Sequence, residues 1–443
     1  MREQWGSRYG FILATIGASV GLGNIWRFSY VAGENGGAAF LIVYLVFVIL
    51  IGLPLVIAEL SLGRRAQGDA IAAFGNHIQA GRWRMVGFLG IVAAILVLSY
   101  YAVIAGWALK YFTGAATGSL WRIAGGGYGE FFRMFISDWG QPAAWQAAML
   151  ALSMFVVAGG VRRGIEAVNR LLMPVLAVIL VALAAYSLFL PDSGRGVSFL
   201  FAPDWSVLAT PGLYVAALGQ AFFSLGIGMA VFVTYGSYMP RTFSLPGAAA
   251  AVVLGDALFA IVAGVAIFPA VFSFGVSPAA GPELAFITLP QLFLGMPFGR
   301  AIGTIFFFLL VAAAFTSMVS LLEVPVSMAV QRLRMDRWRA TALIGIGIFA
   351  LGLPSALSYG VLQDVRVGER QILDMIDAGV SNFVLPATGI LVAVFLGWRL
   401  ERSVSLGDAD MTDGFIGRAW LWLLKFVVPL TIVAILLESA SAL

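Results

Sequence analysis

Long apolar runs separated by short polar segments dominate this chain. A bilayer core takes about 20 mostly apolar residues per helix. That ruler picks out runs at roughly residues 8–32, 37–63, 85–112, 143–160, 166–190, 212–239, 247–274, 298–331, 340–354, 373–399 and 419–438. The pattern predicts an all-α polytopic membrane protein with 11 transmembrane helices. A shorter apolar stretch, residues 282–293, carries Pro282 and Pro290. It is too short to cross and reads as an external or re-entrant segment between spans 7 and 8. Gly, Pro, Asp and Arg gather in the other linkers, as suits aqueous loops.

Composition agrees with the pattern. Hydrophobic residues make up 61% of the 443 and charged residues only 11%, against roughly 25% charged in soluble domains. Disordered, fibrous and disulfide-scaffold classes are excluded. The chain has no cysteine and one histidine, His77. Disulfides, thiolate metal sites and His clusters are therefore absent, and no Ser/His/Asp constellation suggests an enzyme. His77 reads as a solvated loop residue after span 2. The Gly125-Gly126-Gly127 run reads as an outer-loop turn.

The net charge of +4 does not mean a nucleic-acid partner, because topology accounts for it. With the N-terminus inside, most Arg residues fall on inner segments, among them Arg64, Arg65, Arg162, Arg163, Arg170, Arg332 and Arg337. Positive-inside bias then gives a multi-pass protein of the cell's inner (plasma) membrane, with a cytoplasmic N-terminus and an external C-terminus. Arg2 and Arg8 precede an apolar run as in a signal peptide. That run continues through Gly21, Gly23, Asn24 and Arg27 with no cleavage site, so it is read as mature protein. No protein partner or oligomeric state is specified.

Two spans are interrupted alike. Span 1 holds Gly17-Ala18-Ser19-Val20-Gly21-Leu22-Gly23-Asn24, and span 6 holds Ser224-Leu225-Gly226-Ile227-Gly228-Met229. One small-residue pair would mean only close helix packing. Two matched clusters, each with a polar residue inside, free backbone groups that need partners at membrane depth. Their five-span separation suggests two inverted repeats, residues 1–190 and 205–400, followed by an inner loop and helix 11 in residues 401–443, all within one domain of residues 1–443. Paired broken helices point to a transporter's binding site.

At Gly21-Leu22-Gly23-Asn24-Ile25-Trp26-Arg27-Phe28 the chain closely resembles the neurotransmitter:sodium symporter family. The likeness continues at Glu34-Asn35-Gly36-Gly37, along Glu59 to Arg64, at Gly219-Gln220-Ala221-Phe222-Phe223-Ser224 and at Phe315-Thr316-Ser317. Eleven spans resemble the bacterial amino-acid branch. Ser29 departs from the proline usual after Phe28. The resemblance implies a five-plus-five inverted-repeat fold with discontinuous helices 1 and 6. It also implies sodium-coupled import of a small amino acid or amine by alternating access. A non-transporting amino-acid sensor or ligand-gated leak is the alternative on the same fold.

Site residues follow from the resemblance. One sodium would take Ser19, Asn24, Ser224 and Asp256, with the substrate carboxylate. A second would take carbonyls of Gly17, Val20 and Ala313 and hydroxyls of Thr316 and Ser317. Hard cations favour such oxygen ligands. Thr316-Ser317 alone would read as back-bonding to its own helix. An intramembrane Asp256 is a functional candidate by default, the alternative being hydration at the inner boundary. The substrate pocket would be Ala18, Ser19, Leu22, Gly23, Val97, Tyr101, Phe223, Ser224, Gly226, Met229, Ser317 and Leu321. Half-helix N-termini would face a carboxylate.

The outer gate would be Arg27 with Asp377, rivalled by Asp374, under an aromatic lid, Phe223. Inside, Arg2, Trp5, Ser237 and Tyr238 match the family's gate, but Gln331 stands where its aspartate is usual. Gly164 and Pro174 repeat a spacing linked to inward opening, or mark an ordinary helix start and kink. Relatives that carry monoamines have aspartate at the Gly21 position, so the substrate should be an α-amino acid. Gly226, Met229, Val97 and Leu321 suggest a large hydrophobic side chain: Leu, Ile, Met, Phe, Tyr or Trp. Chloride is not expected. Tyr44, Gln220 and Ser224 of the chloride-binding set are kept, but its span 7 serine reads Ala260, with Asp256 one turn away.

Overall fold

The computed structural model describes residues 3–75, 81–123, 127–278, 284–366, 368 and 370–441. Among the described residues, nine helices are long and apolar enough to cross a membrane: Ala38–Ala66, Arg84–Ala116, Gln141–Ala158, Val161–Leu188, Leu245–Ser273, Gly299–Arg332, Arg337–Ala356, Ile372–Arg399 and Phe415–Glu438. A tenth crossing is broken: α1 (Arg8–Ser19) and α2 (Gly23–Glu34) meet at a 50° bend. The expected sixth span is likewise two pieces, Pro211–Leu225 and Val231–Ser237, neither long enough to cross alone. In chain order the unbroken helices before this pair are α3 to α6, the pair is α7 and α8, and the rest are α9 to α13.

The packing follows the hydrophobic pattern. α4 (Arg84–Ala116) and α10 (Gly299–Arg332) pack along each other at the centre and are the most buried. α6 (Val161–Leu188) and α13 (Phe415–Glu438) lie at the periphery with large apolar side chains exposed, such as Leu171, Val178 and Leu430. That belt suits lipid, which asks nothing polar of the surface.

Helix starts and stops differ from expectation in two places. The fifth crossing begins at Val161, five residues before the apolar run. Gly160 turns the chain at φ +86°, and a π-turn over Val161–Glu166 carries Arg162 and Arg163 into the helix. Tertiary contact of the buried Val161 and Ile165 outweighs their polar neighbours. The short apolar stretch is in part a helix, Thr288–Gly295, packed on α10. His77 and most of the Gly125 run, together with Pro282, lie outside the described residues.

Candidate functional site

The two breaks face each other. At the first, Val20 is extended and its N–H still reaches Ile16 O (2.7 Å). At the second, Gly226 and Gly228 take φ of +74° and +84°, a left-handed backbone suited to glycine. Gly228 N–H donates to Glu59 Oε1 (2.8 Å), so a buried carboxylate of α3 (Ala38–Ala66) holds the unwound loop. Leu22 N–H donates to Tyr101 Oη (2.9 Å), tying the first break to α4.

Between the breaks lies a cavity of about 30 Å³. Ala18, Ser19, Gly23, Val97, Tyr101, Phe223, Gly226, Met229, Ser317 and Leu321, all expected at the pocket, line it. Gly21 and Val231 join them, whereas Leu22 and Ser224 do not line it. A Cβ at Gly21 would come within 2.5 Å of Ser317 Oγ and 2.6 Å of Tyr101 Oη, so this glycine keeps the space clear. A Cβ at Gly226 would meet nothing within 4 Å.

Beside the cavity, Asp256 of α9 (Leu245–Ser273) is fully buried, which disposes of a hydrated boundary position. Its carboxylate accepts from Asn24 Nδ2 (2.7 Å), Ser224 Oγ (2.9 Å) and Tyr44 Oη (3.2 Å). No ion pair with a described cationic side chain accompanies these bonds. A buried carboxylate held only by neutral donors is costly unless it meets a cation or a proton. Gln220 Nε2 donates to Gly23 O (2.8 Å), packing the same corner. Ala260, one turn along α9, is buried with it.

A second oxygen set lies where α1 meets α10. Ser317 Oγ is 3.4 Å from both Gly17 O and Val20 O, and Thr316 Oγ1 donates to Ala313 O (2.9 Å). These are hard neutral oxygens, the donor type of an alkali cation and not of a transition metal. Above the cavity, Arg27 Nη2 lies 3.9 Å from Asp377 Oδ2, and its guanidinium sits 4.6 Å over the Phe223 ring. Asp377 also accepts from Tyr100 Oη (2.9 Å) and Ser381 Oγ (3.1 Å). Asp374 instead accepts from Tyr359 Oη (2.9 Å).

This geometry has known counterparts. The model of the sodium:neurotransmitter symporter family matches residues 2–126 and 130–443. The chain belongs to that family. It is 41% identical over 440 residues to the uncharacterized sodium-dependent transporter YhdH of Bacillus subtilis (strain 168), covering 98% of this chain and 97% of the relative. It is 31% identical over 279 residues to the sodium-dependent neutral amino acid transporter B(0)AT2 of Bos taurus, covering 54% and 36%. The crystal structure of MhsT in complex with L-phenylalanine superposes with a TM-score of 0.94 at 48% identity, covering 99% of both chains. The family is one of transporters, not enzymes.

At the arginine-rich end, Trp5 and Tyr238, expected there, meet groups that sequence reasoning passed over: Glu3, Glu323 and Arg337. Tyr238 Oη donates to Glu323 Oε1 (2.7 Å), and Glu323 is paired with Arg337. Arg337 also reaches Glu3 (3.1 Å), whose other bond caps Val161 N–H (3.0 Å). Trp5 Nε1 donates to Tyr235 O (3.0 Å) and its ring packs edge-on against Tyr235 and Tyr238. Ser237 is buried, but its hydroxyl bonds within its own helix, to Thr234 O (2.7 Å). Arg2 lies outside the described residues. Next to Gln331, Arg332 pairs with Asp69 (3.1 Å). The one sequence signal for Glu323 was a carboxylate inside an apolar run, the signal that singled out Asp256.

Proposed function

We propose that this symporter imports a large hydrophobic L-amino acid, coupled to two sodium ions, by alternating access. The observation that carries the reading is the buried Asp256, held by neutral donors beside a small cavity between two helix breaks. Sodium would sit against Asp256, Asn24, Ser224 and the Ser19 carbonyl. A second sodium would sit among Gly17, Val20, Ala313, Thr316 and Ser317. The substrate carboxylate would lie near Gly21, where a glycine leaves room beside Tyr101 and Ser317. Free N–H groups of the break and the Tyr101 hydroxyl would bind it. The side chain would occupy the space opened by Gly226 among Val97, Met229 and Leu321. Met229 adapts to varied shapes. The phenylalanine in the MhsT complex and the neutral amino acids named for B(0)AT2 support this class.

Two sodium ions and a zwitterion add positive charge to a low-dielectric site. Asp256 offsets part of it, so chloride is not required. Arg27 and Asp377 would close over the bound substrate with Phe223 as lid, and the two helical repeats of residues 1–190 and 205–400 would exchange the open side. The test is uptake of labelled L-phenylalanine into proteoliposomes under an inward sodium gradient, with unlabelled amino acids as competitors. Accumulation that collapses without sodium and is blocked by Leu, Ile, Met, Tyr or Trp is expected. Binding without accumulation would favour a sensor, and preference for glycine or glutamate would refute the pocket assignment.

A further inference from the structure

At the end that positive-inside bias assigns to the cytoplasm, some arginines are paired and others are not. Arg64, Arg65, Arg332, Arg337, Arg402 and Arg418 are each paired with a carboxylate. Arg162, Arg163 and Arg170 are in no ion pair with a described residue, yet they sit together. They line a cavity of about 360 Å³ at the start of α6, together with Gly6, Ser7 and Glu166. Glu166 is buried in the same wall, where it accepts from Gly6 N–H (2.6 Å) and Ser7 Oγ (2.9 Å), so one carboxylate faces three arginines.

Three cations and one carboxylate leave the cavity with excess positive charge, and beside a low-dielectric slab water screens it poorly. An anion offsets that excess. Guanidinium groups suit phosphate in particular, through paired N–H donors. The surroundings say how such a phosphate is carried. Eleven residues beyond Arg170, on the same side of α6, lies the exposed Val181, with the exposed Val178, eight residues on, at its flank. They are about 16 and 12 Å from Arg170 along the axis, close to the roughly 15 Å of one hydrocarbon leaflet. A phosphodiester with acyl chains would place its phosphate among the arginines and its chains on that strip.

We propose that this cavity binds the headgroup phosphate of an anionic inner-leaflet phospholipid through Arg162, Arg163 and Arg170. Glu166 in the same wall carries the N-terminal segment. The bound lipid therefore steadies the first turn of α6 with residues 6 and 7 docked on it. The full chain, purified in detergent, is titrated with dioctanoyl phosphatidylglycerol, dioctanoyl phosphatidylcholine or inorganic phosphate. Native mass spectrometry counts bound lipid, and the unfolding midpoint reports stabilisation. Phosphatidylglycerol should bind and raise the midpoint, phosphatidylcholine should do neither, and millimolar inorganic phosphate should not displace the lipid.

Arg170→Gln should weaken lipid binding about 5-fold, and the triple Gln variant about 100-fold. The triple Lys variant should keep most of it, which separates lost charge from lost folding. Arg133→Gln, at the other end of the molecule, should change nothing. Indistinguishable binding of the two lipids, or full binding by the triple Gln variant, would overturn the proposal. Equal competition by inorganic phosphate would also overturn it, assigning the cavity to a free anion.

Discussion

Asp256 and Arg27 carry the two charges on which the proposed cycle turns. Asp256→Asn preserves the shape and the hydrogen-bonding reach toward Asn24, Ser224 and Tyr44 but removes the charge. Sodium affinity should fall by about tenfold or more, since losing one partner of a desolvated pair costs several kcal/mol. Titrating sodium-dependent substrate binding checks this. In the wild type, uptake should persist when gluconate replaces chloride. Arg27→Ala should impair transport more than sodium-dependent binding in detergent, because in the proposed cycle the Arg27–Asp377 contact would close over a site already formed. Asp377→Ala should match it, while Asp374→Ala, which frees only Tyr359, should leave more transport. Both acidic candidates stood one turn apart in the sequence. Only the packing of α4 against α12 (Ile372–Arg399), which brings Tyr100 onto Asp377, separates them.

Among elements, the second break depends on a residue far away in the chain. Glu59 holds Gly228 N–H, and its second oxygen has no hydrogen-bond partner among the described residues. Glu59→Gln keeps an acceptor for that N–H; Glu59→Ala leaves the donor buried and unpaired, a loss of about 1–3 kcal/mol. The Ala variant should therefore bind substrate more weakly and unfold at lower temperature than the Gln variant. Another tie crosses from α3 to the loop before α13: Arg64 grips Asp410 through two bonds of 2.6 and 2.7 Å. Burial alone would raise Asp410, but the hydrogen bonds from Arg64 and Leu245 N–H and the Arg64 charge hold it below the usual carboxylate range. Its contribution to stability is thus present at neutral pH and lost as pH falls through that depressed value. Asp410→Asn should lower the unfolding midpoint at pH 7 and flatten its decline in acid. The glycine clusters announced both breaks in the sequence. Glu59 as the clamp was not legible, because nothing local distinguishes a carboxylate that caps a distant loop.

For the whole molecule, the proposed inner gate joins three parts of the chain through Glu3, Glu323 and Arg337. Arg337→Ala should loosen it. The chain has no cysteine, so Ser237→Cys supplies a single buried reporter. Its labelling by a water-soluble maleimide should be severalfold faster in the Arg337→Ala background. An unchanged rate would mean that Trp5 and its aromatic neighbours close the path alone.

What the sequence by itself determined is what repeats locally or depends on composition. Apolar runs of bilayer length specified an all-helical membrane fold, because backbone in lipid must satisfy itself within each segment. Glycines at matched depths specified where helices fail. An ordered set of motifs specified the family and the residues around the cavity. Tertiary structure decided what depends on distant partners. It brought Asp377, not Asp374, to Arg27 and lined the cavity with Gly21 and Val231 as well. It drew Arg162 and Arg163 into a helix, and it paired Glu323 with Arg337. A buried charge is stable only beside its partner, and which partner reaches it is set by how helices far apart in the chain pack together.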